Sequence, residues 1–481
     1  MLQMVAQLEG QGWQVADDGT VTVRPGSSLD RYAQISVVNA LMVRALAARN
    51  AVALKKLLAE FDAADQRTDR AVRQAVAGLD NTKNTEPDCV PPVIGDKAGD
   101  RIPQTPTQKQ SAENLKIQKQ DLARVESVAE AHHVSVDEVQ AHPENYGLTA
   151  TDITRYHNAA EVQKAMERYG RDAKDINKAH PPIFLTKYDP EAFGGKGAAA
   201  IAIGNPDTAD NTTVKVSGLT TSVKAGSLDN PDPVNLYNET SRAAGEGKAN
   251  AVVMWMGYDA PDDQAVAVPN MARHGAELLA ADVGALQENH QRGPSHLTVI
   301  GHSYGSTTVA DAAAGYGMRV DDIVLIGSPG TDLAKSAADF HLPPNGHLYV
   351  GAASTDPVTY LSREHMTAPG LGLGTDPSID GYGSTRFHAE SSLRDYTTDH
   401  SRYFEKYSES LYNMADIASG HGDQLQQHGM TAEHRSDHWY AKVPVGIPGT
   451  PFVLPAWVTP PGLDQALDPE TGRRAQDNHQ H

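Results

Sequence analysis

The stretch that most constrains the fold is Leu297-Thr298-Val299-Ile300-Gly301-His302-Ser303-Tyr304-Gly305-Ser306. An apolar run suited to a buried strand breaks into two glycines around a serine. It then continues into residues 307–314, whose small side chains read as a helix. A strand that turns into a helix within so few residues pushes Ser303 into a strained conformation with its hydroxyl facing outward. A Cβ at Gly301 or Gly305 would collide with a neighbouring strand or helix, which gives the pattern G-x-S-x-G a steric reason. The motif is short enough to arise by chance, so its surroundings must decide what it is.

Those surroundings point to an α/β fold. From about Pro182, short apolar runs at 198–203, 213–216, 251–255, 297–300, 323–326 and 347–350 alternate with helical segments. The clearest helix is 270–288, where Ala276, Leu279, Val283 and Leu286 mark one face. Strands alternating with helices predict a mostly parallel sheet covered on both faces, with ligands bound at the carboxyl ends of the strands. Together with the turn at Ser303, this is the arrangement of an α/β-hydrolase, expected over residues 182–420.

The remainder is organised around that domain. Residues 1–80 are expected to form a helical N-terminal region. It opens with a short β element after Asp17-Asp18-Gly19 and continues as a long helix from Ser27, with Ser27 and Asp30 as capping residues. Its apolar stripe, Ile35, Val38, Leu41, Met42 and Leu46, then Leu54, Leu57, Leu58 and Phe61, must pack on another helix, another domain or a partner. Residues 81–112, with five prolines among polar residues, read as a linker. Residues 113–181 return to helical composition, broken near Pro143 and Gly147. Residues 421–481 read as a polar, proline-rich tail whose last 20 residues have the composition of a disordered segment.

Composition excludes several functions. A net charge of −20 argues against nucleic acid or an anionic membrane as the main partner. The single cysteine, Cys89, rules out an internal disulfide or a multi-cysteine metal site. His132, His133, His142 and His157 lack ligand-like spacing and read as solvated helix residues. No cofactor or metal is expected. No run of about 18 apolar residues occurs, and Met1 to Val15 lacks the features of a signal peptide. The chain is therefore expected in the cytoplasm, or exported by a route that reads no such signal.

A serine hydroxyl needs a base within hydrogen-bond reach, and the base needs a carboxylate to orient it. In this fold the chain order is serine, acid, histidine. Asp356 follows the strand 347–350 and sits where the acid belongs; Asp332, one strand earlier, and Asp376, in a glycine-rich loop, compete with it. His400 lies in a loop ahead of a helix, with His388 and His365 as alternatives, while His302 is expected to support the turn. The N–H of Tyr304 is expected to be one oxyanion donor, and the N–H of Leu219, in the loop after 213–216, the other. Segments 257–270 and 370–383, rich in glycine, proline and aspartate, are expected to border the pocket as mobile loops.

Five segments also carry a resemblance: Trp255-Met256-Gly257-Tyr258-Asp259-Ala260-Pro261, Gly301 to Ser306, Gly327-Ser328-Pro329-Gly330, Asp356-Pro357, and His400-Ser401-Arg402-Tyr403-Phe404. In this order, over roughly 195–415, they resemble an actinobacterial α/β-hydrolase family. The resemblance implies a Ser303–Asp356–His400 triad and a cutinase- or esterase-like site acting on ester-type small molecules or lipids. The family has Pro-Gly-Thr at its oxyanion loop where this chain has Ser217-Gly218-Leu219. The N-terminal helix is similar to half of the helical hairpin of type VII secretion substrates, which implies export and a helical partner.

Overall fold

The computed structural model describes residues 13–16, 20–27, 30, 104–262, 269–362, 373–393, 395, 398–436, 468–475 and 479–481. The chain divides into two units, Met1–Pro103 and Gln104–His481. In the first, β1 (Trp13–Val15) pairs antiparallel with β2 (Val21–Val23), which is the expected short β element. Ser27 Oγ accepts the Asp30 N–H at 3.1 Å, and Asp30 accepts that of Gly26 at 2.8 Å, a capping arrangement. The long helix expected beyond it, and residues 81–103 of the linker, lie outside the described residues.

The second unit opens with α1 (Pro106–His132), which starts inside the stretch read as linker. Pro106 occupies the first helical turn, where its missing N–H costs nothing, and Thr105 and Gln108 form a reciprocal capping box ahead of it. The buried stripe of α1 is Thr107, Ser111, Asn114, Gln118 and Asp121, followed by Val125 and Ala129. The chain then breaks as expected, through α2 (Val136–Ala141) and a 3₁₀ turn (Pro143–Tyr146) into α3 (Ala150–Asp172).

An eight-stranded sheet follows: β3 (Ile183–Asp189), β4 (Ala198–Ile203), β5 (Asn211–Val216), β6 (Asn250–Met256), β7 (His296–His302), β8 (Asp322–Ile326), β9 (His347–Gly351) and β10 (Thr385–Phe387). Their spatial order is β10-β9-β8-β7-β5-β6-β4-β3. Strands β5 to β10 run parallel, while β4 is antiparallel to both β6 and β3. The six expected strands are all present, with ends shifted by at most two residues. β3 was not anticipated, because its half-buried pattern does not make a continuous apolar run.

The edge strand β3 is covered by α1, and polar groups make the contact. Ser111 Oγ accepts the Leu185 N–H at 2.9 Å, and Asn114 Nδ2 donates to the Leu185 carbonyl at 2.8 Å. On one face of the sheet, α5 (Asn270–Asn289) and α6 (Tyr304–Tyr316) pack Leu279, Val283 and Val309 against Val299, Ile323 and Leu325. On the other, α3, α4 (Asp232–Ala244) and α7 (Glu409–Ala418) pack Val162, Leu236 and Met414 against Ile300, Val324 and Ile326. Alternation along β7 and β8 sends successive residues to opposite cores. No described helix is long and apolar enough to cross a membrane.

The reading of the last residues as disordered is corrected for 468–475 and 479–481. Asp468 is buried between two wholly buried guanidinium groups, accepting from Arg386 Nη2 at 3.0 Å and Arg435 Nε at 2.7 Å. His481 stacks on Tyr412, with centroids 3.9 Å apart, and bonds Glu239 and Asp416. Composition registers charged residues as solvated; these are fixed by buried partners of opposite sign that are distant in the chain.

Candidate active site

The turn at Ser303 joins β7 to α6 with no spare residue. Ser303 adopts φ 57°, ψ −133°, a conformation uncommon for a residue with a side chain. Its N–H donates to the Ile326 carbonyl at 3.0 Å, which anchors the turn to β8. A Cβ on Gly301 would stand 2.5 Å from Ser306 Cα, and one on Gly305 would stand 2.7 Å from the Val216 carbonyl oxygen of β5. The two glycines are therefore required by close approach, one to the following helix and one to the neighbouring strand.

Asp356 opens a 3₁₀ turn (Pro357–Tyr360) just past β9. His400 lies in a second such turn (Asp399–Ser401). The two turns and Ser303 meet at the carboxyl end of the sheet. His400 Nε2 is 2.8 Å from Ser303 Oγ, and its Nδ1 is 3.0 and 2.9 Å from the two oxygens of Asp356. An Nδ1–H donating to the carboxylate leaves Nε2 to accept the serine proton; the tautomer follows from the partners. Asp356 has no solvent exposure and also accepts from Val358 N–H at 2.9 Å and Tyr403 O–H at 2.8 Å. Burial works to raise its pKa, but His400 and these donors outweigh it and hold the carboxyl below the ordinary value.

The other candidates are engaged elsewhere. Asp332 pairs with Arg273 at 2.6 Å, Asp376 accepts from Ser378 and Arg435, and His388 Nδ1 lies 2.9 Å from Glu470. His365 lies outside the described residues. Among the described residues, no group of three or more His, Cys, Asp or Glu side chains could hold a metal ion.

The loop 217–222 crosses directly over the serine turn. A Cβ on Gly218 would stand 2.7 Å from the Tyr304 nitrogen and 2.9 Å from Ser303 Cβ. Leu219 follows it, and the Leu219 N–H makes no hydrogen bond among the described residues. The next residue, Thr220, has φ 59° and donates its N–H to the Pro261 carbonyl at 2.7 Å. Of the two expected mobile loops, 263–268 of the first and 370–372 of the second lie outside the described residues. Residues 373–383 are corrected. Thr375 exchanges two backbone hydrogen bonds with Thr331, and a Cβ on Gly374 would fall 1.8 Å from the Thr331 oxygen, so this segment is packed.

One contributor was not readable from sequence, and His302, expected to support the turn, also reaches the histidine loop. Tyr403 O–H gives Asp356 a donor besides His400, and it accepts the Ala353 N–H at 3.1 Å, tying the histidine loop to the acid loop. His302 reaches across, its Nε2–H donating to the His400 carbonyl at 2.7 Å. Burial, then the nearby charges of His400 and Lys215, press the His302 pKa down to about 3, so it stays neutral. The block from His400 to Phe404 held the signal for Tyr403, but only the fold shows what its hydroxyl meets.

Residues 189–366 match the family model described as alpha/beta hydrolase, a segment that includes Ser303 and Asp356 and ends before His400. Uncharacterized protein Rv2079 of Mycobacterium tuberculosis is 46% identical over 386 residues, covering 74% of this chain and 58% of its own length. The chain thus spans 58% of that relative. Uncharacterized protein Mb0988c of Mycobacterium bovis is 32% identical over 222 residues, which is 45% of this chain and 80% of that protein. Among solved structures, the CE1 ferulic acid esterase AmCE1/Fae1A of Anaeromyces mucronatus aligns with a TM-score of 0.33 and 11% identity, over 53% of this chain and 95% of that one. The matched segment carries the strands that bring the serine turn and the acid loop together, and the chain belongs to the α/β-hydrolase family.

Proposed function

We propose that the protein is a serine hydrolase of carboxylic esters, working through an acyl-enzyme. The observation that carries this reading is the 2.8 Å contact between His400 Nε2 and Ser303 Oγ, backed by Asp356 on the far side of the ring. Ser303 Oγ attacks the acyl carbon while His400 takes its proton. His400 then returns that proton to the leaving alcohol. Water, deprotonated by the same imidazole, releases the acid and restores Ser303. Asp356 fixes the tautomer of His400 and stabilises its imidazolium form. Tyr304 N–H and Leu219 N–H would hold the oxyanion, each worth about 2.7–4 kcal/mol to the acyl-transfer barrier.

The test is labelling with a fluorophosphonate probe, followed by a panel of p-nitrophenyl esters of increasing chain length. Wild type is expected to react and Ser303→Ala to stay unlabelled. An inert wild type, or equal labelling of Ser303→Ala, would sink the catalytic reading and leave the fold as a binding scaffold.

A further inference from the structure

Lysine is almost never fully buried unless it is paired, yet Lys215 on β5 is 1% exposed. It stands four residues before Leu219, and its side chain ends where three segments of the site meet. Its Nζ donates to Ser217 Oγ at 3.2 Å. It lies 3.2 Å from Asp232, in the first turn of α4, and 4.6 Å from the centre of the Phe404 ring. Phe404 belongs to the histidine loop and packs edge-on against His302. The Phe404 carbonyl is held at 3.0 Å by Asn235 Nδ2, from the same α4.

Ser217 is gripped at both of its polar ends. Its hydroxyl accepts from Lys215, and its carbonyl accepts from Tyr258 O–H at 2.8 Å, while the Tyr258 ring is stacked on Trp255. The next residue, Gly218, rests against Ser303 and the Tyr304 nitrogen. The backbone between Ser217 and Leu219 therefore has its origin fixed by a buried ammonium and a buried phenol. A donor aimed at a developing oxyanion is effective only when it is held before the charge appears.

We propose that Lys215 is a positioning residue of the reaction, which holds the oxyanion loop in register with the nucleophile through Ser217 and ties that loop to the histidine loop through Phe404. The proposal rests on the serine-hydrolase reading. It also assigns a role to the segment Trp255 to Pro261, whose Tyr258 and Pro261 grip the loop at Ser217 and Thr220. The cost of the arrangement is a charge withdrawn from water. Helix α4 supplies Asp232 to compensate it.

The experiment compares Lys215→Met, Ser217→Ala and the double variant in the full chain. Each is assayed for p-nitrophenyl ester turnover and for binding of two inhibitors. A trifluoromethyl ketone forms a tetrahedral oxyanion on the serine; the matching secondary alcohol cannot. Both single variants are expected to lose about ten-fold or more in kcat, with KM changed less than about two-fold. Affinity for the ketone should fall by a similar factor and that for the alcohol should hold. The double variant should be no worse than the poorer single one, since both substitutions break one link.

Unchanged kcat and ketone affinity in both single variants, equal losses for the two inhibitors, or additive losses in the double variant would overturn the proposal. Should Lys215→Met fail to fold, Ser217→Ala decides alone, and wild-type kcat there refutes the link. An active wild type with unaffected variants defeats only this proposal. An inert wild type defeats the catalytic reading and this proposal together.

Discussion

Asp356 and Asp332 are two carboxylates from successive strand ends, and partnership alone separates them: one meets His400, the other Arg273. Asp356→Asn is expected to lower kcat about 10⁴-fold, because an amide permits the wrong histidine tautomer. Asp332→Asn should stay within a few-fold of wild type in the same p-nitrophenyl assay, and the reverse result would move the acid one strand back. His302 gives a prediction about pH. Unfolded, it binds a proton near 6.5; folded, only near about 3. Between those values the unfolded chain holds more protons, so this residue makes stability rise with pH. Acidifying from about pH 7 to about pH 5 should remove about 2 kcal/mol through this one group. Asp311 and Glu390, buried and pushed up to about 7, act in the opposite sense, since they hold protons in the folded state that the unfolded chain releases. Urea unfolding of wild type against His302→Gln at both pH values isolates the histidine, and equal slopes would refute the assignment. The order serine, acid, histidine was readable along the chain. That Tyr403 would donate to Asp356 was not, because that contact exists only once the loops carrying Asp356 and His400 face each other.

At the scale of elements, periodicity served well where the packing is apolar. The six anticipated strands and α5 bury continuous or regularly spaced aliphatic residues, which is the property a periodic reading detects. It overlooked the first turns of α1, where the buried residues Thr107 and Ser111 are polar and register as linker. It also overlooked the C-terminal strap, whose anchors are charges. The strap's importance can be measured. Asp468→Ala would leave Arg386 and Arg435 buried beside the acid loop with a shared carboxylate removed, and should cost about 3–5 kcal/mol in urea unfolding. Arg124→Gln, which breaks a pair whose arginine side chain is 57% exposed, should cost under about 1 kcal/mol. A small effect at Asp468 would show that the strap is dispensable. The serine turn predicts its own sensitivity: Gly305→Ala drives a methyl into the Val216 and Ser217 carbonyls. It should lower stability by about 1–3 kcal/mol, together with a large fall in turnover.

For the molecule as a whole, the boundary at Pro103 places α1 with the hydrolase fold. Removing residues 1–103 should leave a folded, ester-cleaving protein, and loss of activity would place part of the working enzyme upstream. Removing residues 1–132 should not be tolerated, because Ser111 and Asn114 go with α1 and their bonds to Leu185 go too. Circular dichroism and p-nitrophenyl turnover of the two truncations give the comparison. The consequence reaches beyond a single copy of the chain. An open sheet border is a template on which another polypeptide can lay a ninth strand, and then a tenth. With α1 in place, the border at Leu185 has its donor and acceptor already taken. A segment that looks like a connector thereby works as a guard against edge-to-edge polymerisation.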